Sequence, residues 1–479
     1  MNIYAGIMLG YFALVILVGI LTRKVASKSA SDYLVAGRNL GVIVCAVVVA
    51  AEWLGGMSTI GVSEKAFTTS TLQPILYNIA TAIGMIIIGF TVAAHYRKNN
   101  VHTVSEMIES LFGAKARSIS AIAFLIAYVV LAYVQLQTCA SVMAPLFNIQ
   151  WETAVIISAL VITFYTYIGG MHALAVTGIL YLITMFTGLG VAFFIGLSKV
   201  GGFAGLHDIL VSRGAPANLY NPFSADVYAA AMLLLGGILG GMAAQASIQP
   251  IFAAKDVNTA KRASIIAAFI VAPFGIMTAF FGLFAKTGLF FDPTKIQDAK
   301  TVLPTLLQTP EFIHPILGGI ALAGVLAAIL STVGPVNFAV VTIAAKDIYH
   351  GLINKNAEDA KIIKTARQLV ILVMVVTIPL AIYLRGAVLD TAYISYAIRA
   401  IGAIVIVFAL YGRKFITKLG VYLSFILGTL GVFVSLIGAH YKWFKVDKTL
   451  TAVIMTIAII VIAKIIDMLF GKNETEQKA

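Results

Sequence analysis

Charged side chains are scarce in this chain. They make up 11% of its 479 residues, and hydrophobic ones make up 60%. Soluble domains run at about a quarter and a half, so no water-soluble fold could hide this much apolar surface. Long polar stretches are missing as well, which excludes a separate soluble domain and leaves one transmembrane domain over 1–479. Cysteine is nearly absent: Cys45 and Cys139 both fall in apolar blocks and read as small core residues, not as a disulfide or metal pair. No His-Glu-x-x-His, no paired intramembrane Asp and no nucleophile with a placed base occurs, so the sequence gives no ground for an intramembrane enzyme. The net charge of +13 comes from residues scattered through loops and not from one basic stripe, which argues against a nucleic-acid partner.

What the chain does have is length without charge. Its apolar blocks run about 18 to 28 residues, enough to cross a hydrocarbon core of roughly 30 Å as helices, which satisfy their own backbone in lipid. The expected fold class is an all-α integral membrane protein of about thirteen spans, near 3–22, 39–63, 72–95, 118–142, 153–170, 174–199, 227–252, 264–287, 316–343, 366–384, 390–411, 416–438 and 449–468. An amphipathic stretch at 103–117 reads as a surface helix. With the amino terminus outside, loops and tail on the cytoplasmic side hold 21 of the 33 Lys and Arg, the opposite loops hold 10, and Arg399 and Lys464 lie within spans. The excess of positive charge places the amino terminus outside and the carboxyl terminus in the cytoplasm of a plasma-membrane protein.

Two spans are not uniform. Span 2 carries Glu52-Trp-Leu-Gly-Gly-Met-Ser-Thr, span 7 carries Gly236-Gly-Ile-Leu-Gly-Gly-Met, and the two lie five spans apart, in opposite orientation. Interrupted helices in matching positions of two halves point to an inverted-repeat transporter with its site at the midplane. Close packing of small residues is the alternative reading. Glu52 weighs against it, because a carboxylate at bilayer depth costs roughly 2.5–3.5 kcal/mol on insertion scales. Ser331 and Thr332 in span 9 follow Ala328 by one turn. Two hydroxyls and a few carbonyls make a hard-oxygen cage of low charge that suits a monovalent ion such as sodium, unless the hydroxyls bond back to their own helix.

Four segments together resemble the sodium:solute symporter family, whose members share the leucine-transporter fold. They are Ser31-Asp-Tyr-Leu-Val-Ala-Gly-Arg-Asn-Leu, Tyr167-Ile-Gly-Gly-Met-His-Ala, Gln245-Ala-Ser-Ile-Gln-Pro-Ile-Phe-Ala-Ala-Lys-Asp, and the span 9 run from Ala327 to Tyr349. The resemblance implies five plus five inverted repeats, one over about 39–199 and one over about 227–411, with peripheral spans 3–22, 416–438 and 449–468. It also implies a sodium site made by the carbonyls of Ala51, Leu54 and Ala328 with the hydroxyls of Ser331 and Thr332. The solute pocket it implies is lined by Trp53, Gly55, Ser58, Tyr77, Asn78, Gln135, Gly240 and Arg399; Glu52, an unusual addition to the family pattern beside a sodium-site carbonyl, is a further substrate-binding candidate. The chain departs from the family pattern at Thr177-Gly178, where many members carry an Asp used in a further sodium site or in gating, and at Gln249-Pro250, where many carry Gln-Arg. Arg399 stays open between pairing with a substrate carboxylate, pairing with Glu52 and reaching toward water.

The expected function is sodium-coupled symport of a small polar organic solute by alternating access, with the lipid bilayer as its surroundings and sodium as the coupling ion. The alternatives are a proton-coupled symporter of the same fold, or a channel or sensor without coupled transport. Neither the solute nor the oligomeric state is written in the sequence.

Overall fold

The computed structural model describes residues 3–22, 39–99 and 101–470; the side chains of 19, 20, 22, 164–175 and 359 lie outside the described set. The described chain is helical throughout, in the order α1 (Ile3–Thr22), α2 (Val42–Trp53), a π-helical turn (Met57–Gly61), α3 (Val62–Thr69), α4 (Ile75–Phe90), α5 (Ala93–Lys98), α6 (Val104–Phe112), α7 (Ala114–Phe147), α8 (Trp151–Lys199), α9 (Gly202–Ser212), α10 (Val227–Met242), α11 (Gln245–Phe252), α12 (Val257–Lys286), α13 (Val302–Leu307), α14 (Pro315–Thr342), a π-helical segment (Ile343–Ile353), α15 (Asp359–Tyr383), α16 (Val388–Tyr411), α17 (Lys418–His440) and α18 (Lys448–Phe470). Polar residues mark the starts. Asp226, Asp256 and Thr417 each accept a bond from the backbone N–H three residues on, which fills one of the donors a helix leaves open at its amino end.

Among the described residues nine helices are long and apolar enough to cross a membrane, ten with the bent pair α2–α3. Three shorter apolar stretches, Ile3–Val18, Ile75–Phe90 and Trp151–Thr163, fall below that length. The count of thirteen is therefore not established. Two expected spans, 153–170 and 174–199, run together as the 49-residue α8. A straight helix of that length would reach roughly 70 Å. Its two ends, however, meet one short stretch of chain: Lys300 sits 5.9 Å from the Trp151 ring centroid, and Lys199 donates to the Glu311 carbonyl. So α8 is not one straight rod. The surface helix expected at 103–117 is shorter than that. It stops at Phe112 because Gly113 takes a φ of +90°, and the long α7 begins at Ala114.

The centre of the bundle is α14, which packs against α8, α7 and α1 and is buried at every position from Ala321 to Thr342. At the periphery, α18 buries only Thr449, Ala452, Thr456, Ile460 and Ala463. Apolar side chains such as Leu372, Val375, Val461 and Phe470 cover the outer helices and stay exposed, as a surface made for lipid requires. Around α14 the broken helix α2–α3 lies against α12, and α10 lies against α4 and α16.

One end of the bundle is knotted by Arg117, at the start of α7. Its Nε donates to Asp347 Oδ1 at 2.9 Å, Nη1 to Glu109 at 2.7 Å, and Nη2 to Glu106 and the Lys346 carbonyl at 2.9 and 3.0 Å. Thr103 adds a bond to Asp347 at 2.8 Å. Burial works against the Glu106 carboxylate, but His102 and Arg117 beside it hold its pKa down at about 2. The same end carries a two-bond bridge, Leu40 N to Ala253 O and Lys255 N to Leu40 O, which ties the chain before α2 to the chain after α11.

Candidate functional site

Regular helix ends at Trp53. Leu54, Gly55 and Gly56 separate α2 from the π-helical turn, and the axis changes direction by 55° across them. A break of this kind leaves carbonyls without their i+4 partners. Three of them find a hydroxyl. Ser58 Oγ donates to the Trp53 carbonyl at 2.7 Å, while the Gly55 carbonyl keeps its i+4 partner, the Thr59 N–H, and accepts from Thr59 Oγ1 as well. The two others come from across the bundle. Ser331 Oγ on α14 lies 2.6 Å from the Ala51 carbonyl and 2.8 Å from that of Ala328, and Thr332 Oγ1 donates to the Glu52 carbonyl at 2.5 Å. The hydroxyl of Ser331 thus bonds back to its own helix and reaches the broken one as well.

Five neutral oxygens converge here: three carbonyls and two hydroxyls, all on buried residues. A sodium ion held there would take the lone pairs of these oxygens with the hydroxyl hydrogens turned outward, a set that suits a hard monovalent cation and no soft metal. Of the expected ligands, Ala51, Ala328 and Ser331 are brought together by one hydroxyl. Thr332 meets the Glu52 carbonyl, next to Ala51, and the Leu54 N–H closes α2 on Ala50. Gly178 lies across from this point, where a Cβ would come within 3.9 Å of Ala51.

Close approach of α14 depends on the glycines. A Cβ on Gly55 would run into the Thr332 side chain, and one on Gly56 into Thr138. These positions admit no side chain without moving a neighbouring helix.

One turn further along the same break is a ring of aromatics. Trp53 stacks with Tyr396 at 6.1 Å between centroids, and Tyr77 meets Tyr396 edge-on and shares a hydroxyl bond with it at 2.9 Å. Tyr393 closes the ring on Tyr396 at 4.9 Å. Asn78 donates to Ser58 at 3.1 Å. Gly240 and Gly241 of α10 supply a smooth wall, since a Cβ on Gly240 would strike Tyr396 and one on Gly241 would sit 3.7 Å from Trp53. Arg399 is stacked over Tyr396 at 4.1 Å and donates to Tyr128 at 3.3 Å. Glu52 does not ion-pair with Arg399; its carboxyl accepts from Ser247 on α11, so it joins the two interrupted helices. Gln135 reaches the break through Thr138, which donates to its Oε1 at 3.3 Å.

All nine pocket residues named from the sequence therefore surround the break. Tyr396, Tyr128, Thr138 and Ser247 were missed. Each makes its contact across more than seventy residues of chain, and a tyrosine or serine in a span carries no mark of which neighbour it will meet. On one flank Lys65 of α3 pairs with Asp390 of α16 at 3.2 Å, and Glu64 accepts from the Val388 N–H at 2.9 Å, so the far arm of the broken helix is tied to the helix that carries Tyr396 and Arg399.

Residues 33–428 match the model of the sodium:solute symporter family. The human high affinity choline transporter 1 is 25% identical over 381 residues, which cover 74% of this chain and 64% of that protein. The chain thus spans about 64% of the length of that relative. The sodium/proline symporter of Staphylococcus aureus is 22% identical over 439 residues, covering 88% and 84%. Among solved structures, a Na+-coupled sialic acid symporter in a substrate-bound outward-open state superposes with a TM-score of 0.81 at 18% identity, over 98% of each chain. A nucleobase-cation-symport-1 family transporter in a closed conformation gives 0.60 at 13% identity, over 92% and 94%.

Proposed function

Since the chain belongs to the sodium:solute symporter family and has the leucine-transporter fold, we propose that it is a sodium-coupled symporter of a small polar solute, working by alternating access in the plasma membrane. One observation carries this reading: the hydroxyls of Ser331 and Thr332 reach across the bundle to the carbonyls of Ala51 and Glu52 exposed by the break in α2. Sodium in that cage would tie α14 to α2 and hold the aromatic ring of Trp53, Tyr77 and Tyr396 in register for the solute. Emptying the cage toward a low-sodium cytoplasm would release both. The membrane field supplies about 2.3 kcal/mol per charge per 100 mV. The two interrupted helices, α2–α3 and α10–α11, would each begin one inverted repeat.

Reconstituted protein given an inward sodium gradient should accumulate its solute saturably, with uptake stoichiometric with sodium. Solute flux that is indifferent to sodium would sink the reading.

A second reading, proton coupling, is favoured by the buried Glu52 carboxyl beside the cage. Uptake driven by a pH gradient alone, lost in Glu52→Gln, would select it. For orientation, a cysteine at Asn218 should label from outside with an impermeant thiol reagent and one at Asn356 should not. The reverse pattern would invert the direction of coupling.

A further inference from the structure

We propose that the transported solute carries a carboxylate and that Arg399 binds it, an inference that rests on reading the chain as a sodium-coupled carrier. Arg399 is 1% exposed in the middle of α16. Its guanidinium offers five N–H donors. Nη1 reaches the Tyr128 hydroxyl, while Nε and Nη2 are buried without a partner. Among the described residues no carboxylate comes within 4.0 Å of it.

The group is nonetheless held in place. Its Cζ lies 4.1 Å from the Tyr396 ring centroid, 5.6 Å from that of Tyr128 and 6.0 Å from that of Trp53. Rings packed against a guanidinium attract its charge without using its N–H donors. A guanidinium held in this way keeps a planar fork that a carboxylate fits with two parallel bonds.

The neighbours lean the same way. Trp53 Nε1, in the same stack, and Gln135 Nε2, on the far side of the break, are also buried donors without a partner. Against these four nitrogens stands one orphaned acceptor in the ring, Asn78 Oδ1. The pocket is short of acceptors, and a carboxylate supplies them. A quaternary ammonium solute would suit an aromatic ring by itself, but here the cation at the rings is part of the chain. The Glu52 carboxyl is engaged by Ser247.

The test uses purified full-length protein and thermal stability, first in sodium against potassium chloride. Matched pairs then follow: proline and prolinamide, N-acetylneuraminic acid and its methyl ester, lactate and lactamide, benzoate and benzamide, with choline as the cation. At least one acid should stabilise the protein in sodium, with its neutral partner binding roughly a hundredfold more weakly, the loss typical of removing one member of a buried charged pair. In Arg399→Gln the acid effect should disappear while stabilisation by sodium alone survives, which shows the variant folded; Arg399→Lys, charged but without the fork, should fall between. The inference fails if a neutral partner or choline binds as well as the acid, if no acid acts in the presence of sodium, or if Arg399→Gln keeps the acid affinity. Absence of any sodium effect on the wild-type protein refutes the sodium site itself and takes the inference with it.

Discussion

In α2 the Gly55-Gly56-Met57 triplet lies at the break itself, where the axis turns by 55°. In α10 the same triplet, Gly240-Gly241-Met242, is the last turn of intact helix, and the chain opens only after it, at Ala243 and Ala244. The two pieces there run on as one span over Val227–Phe252. The difference lies in what the glycines face. Gly55 and Gly56 face Thr332 and Thr138, and Thr332 takes the Glu52 carbonyl at the break, whereas Gly236, Gly237 and Gly240 face Tyr393, Ala80 and Tyr396, of which Tyr393 bonds the Leu233 carbonyl, before the triplet and within intact helix. Glycine weakens a helix by about 1 kcal/mol, which allows a break without dictating one. Partners that capture the freed carbonyls decide.

The largest effect that tests this contrast is steric. Gly55→Ala should abolish sodium-driven uptake because its Cβ meets Thr332, while Gly241→Ala, with its Cβ 3.7 Å from Trp53, should leave uptake within about twofold, the scale of a modest contact change. Equal loss in both, measured as initial rates in proteoliposomes, would erase the distinction between the two breaks.

Next come the hydroxyls. Bonds to a charged group contribute roughly 1.5–3 kcal/mol each, so Ser331→Ala or Thr332→Ala should raise the sodium concentration for half-maximal uptake by about tenfold or more. Unchanged sodium dependence in the double variant would remove the cage.

The bond between the two interrupted helices is smaller in reach. Glu52→Gln keeps size and hydrogen bonding but cannot ionise, and should raise the sodium requirement severalfold and flatten the pH dependence of uptake. Ser247→Ala should reproduce part of the first effect without the second. A Gln variant with the wild-type pH profile would make Glu52 a structural tie between the breaks. The smallest expected effect is at the flank: Lys65→Ala breaks a half-exposed ion pair with Asp390 and should lower stability by less than about 1 kcal/mol, fading with added salt.

The spans were legible because a bilayer imposes length and apolarity on each separately. The break in α2 was legible because glycines there keep company with a carboxylate and two hydroxyls, a combination packing alone does not call for. Its counterpart was misplaced by a few residues, since Gly236 to Gly241 serve close packing and nothing local says so. The joined helix at 151–199 was not legible either, because Tyr167-Ile-Gly-Gly-Met has the look of a loop but no proline or charge that would stop helical backbone. Tyr128, Tyr396 and Ser247 acquire their meaning only from helices far away in sequence. Arg399 was left open among three fates; among the described residues no ion pair joins it to Glu52, whose carboxyl accepts from Ser247.

The knot at Arg117 has a mechanical consequence. It clamps the start of α7 to Asp347 and Lys346, the continuation of α14, through one guanidinium gripping two helices and the short α6. Under the proposed alternating access, the hydroxyls of Ser331 and Thr332 and the α7 row of Tyr128 and Gln135 would then move as one body. His102 and Arg117 hold the pKa of Glu106 down at about 2, so that arm of the clamp is charged at neutral pH. Relative motion would fall to α2 and α3, across the break at Leu54 to Gly56, beside the carbonyls of Ala51 and Glu52 that the two hydroxyls reach.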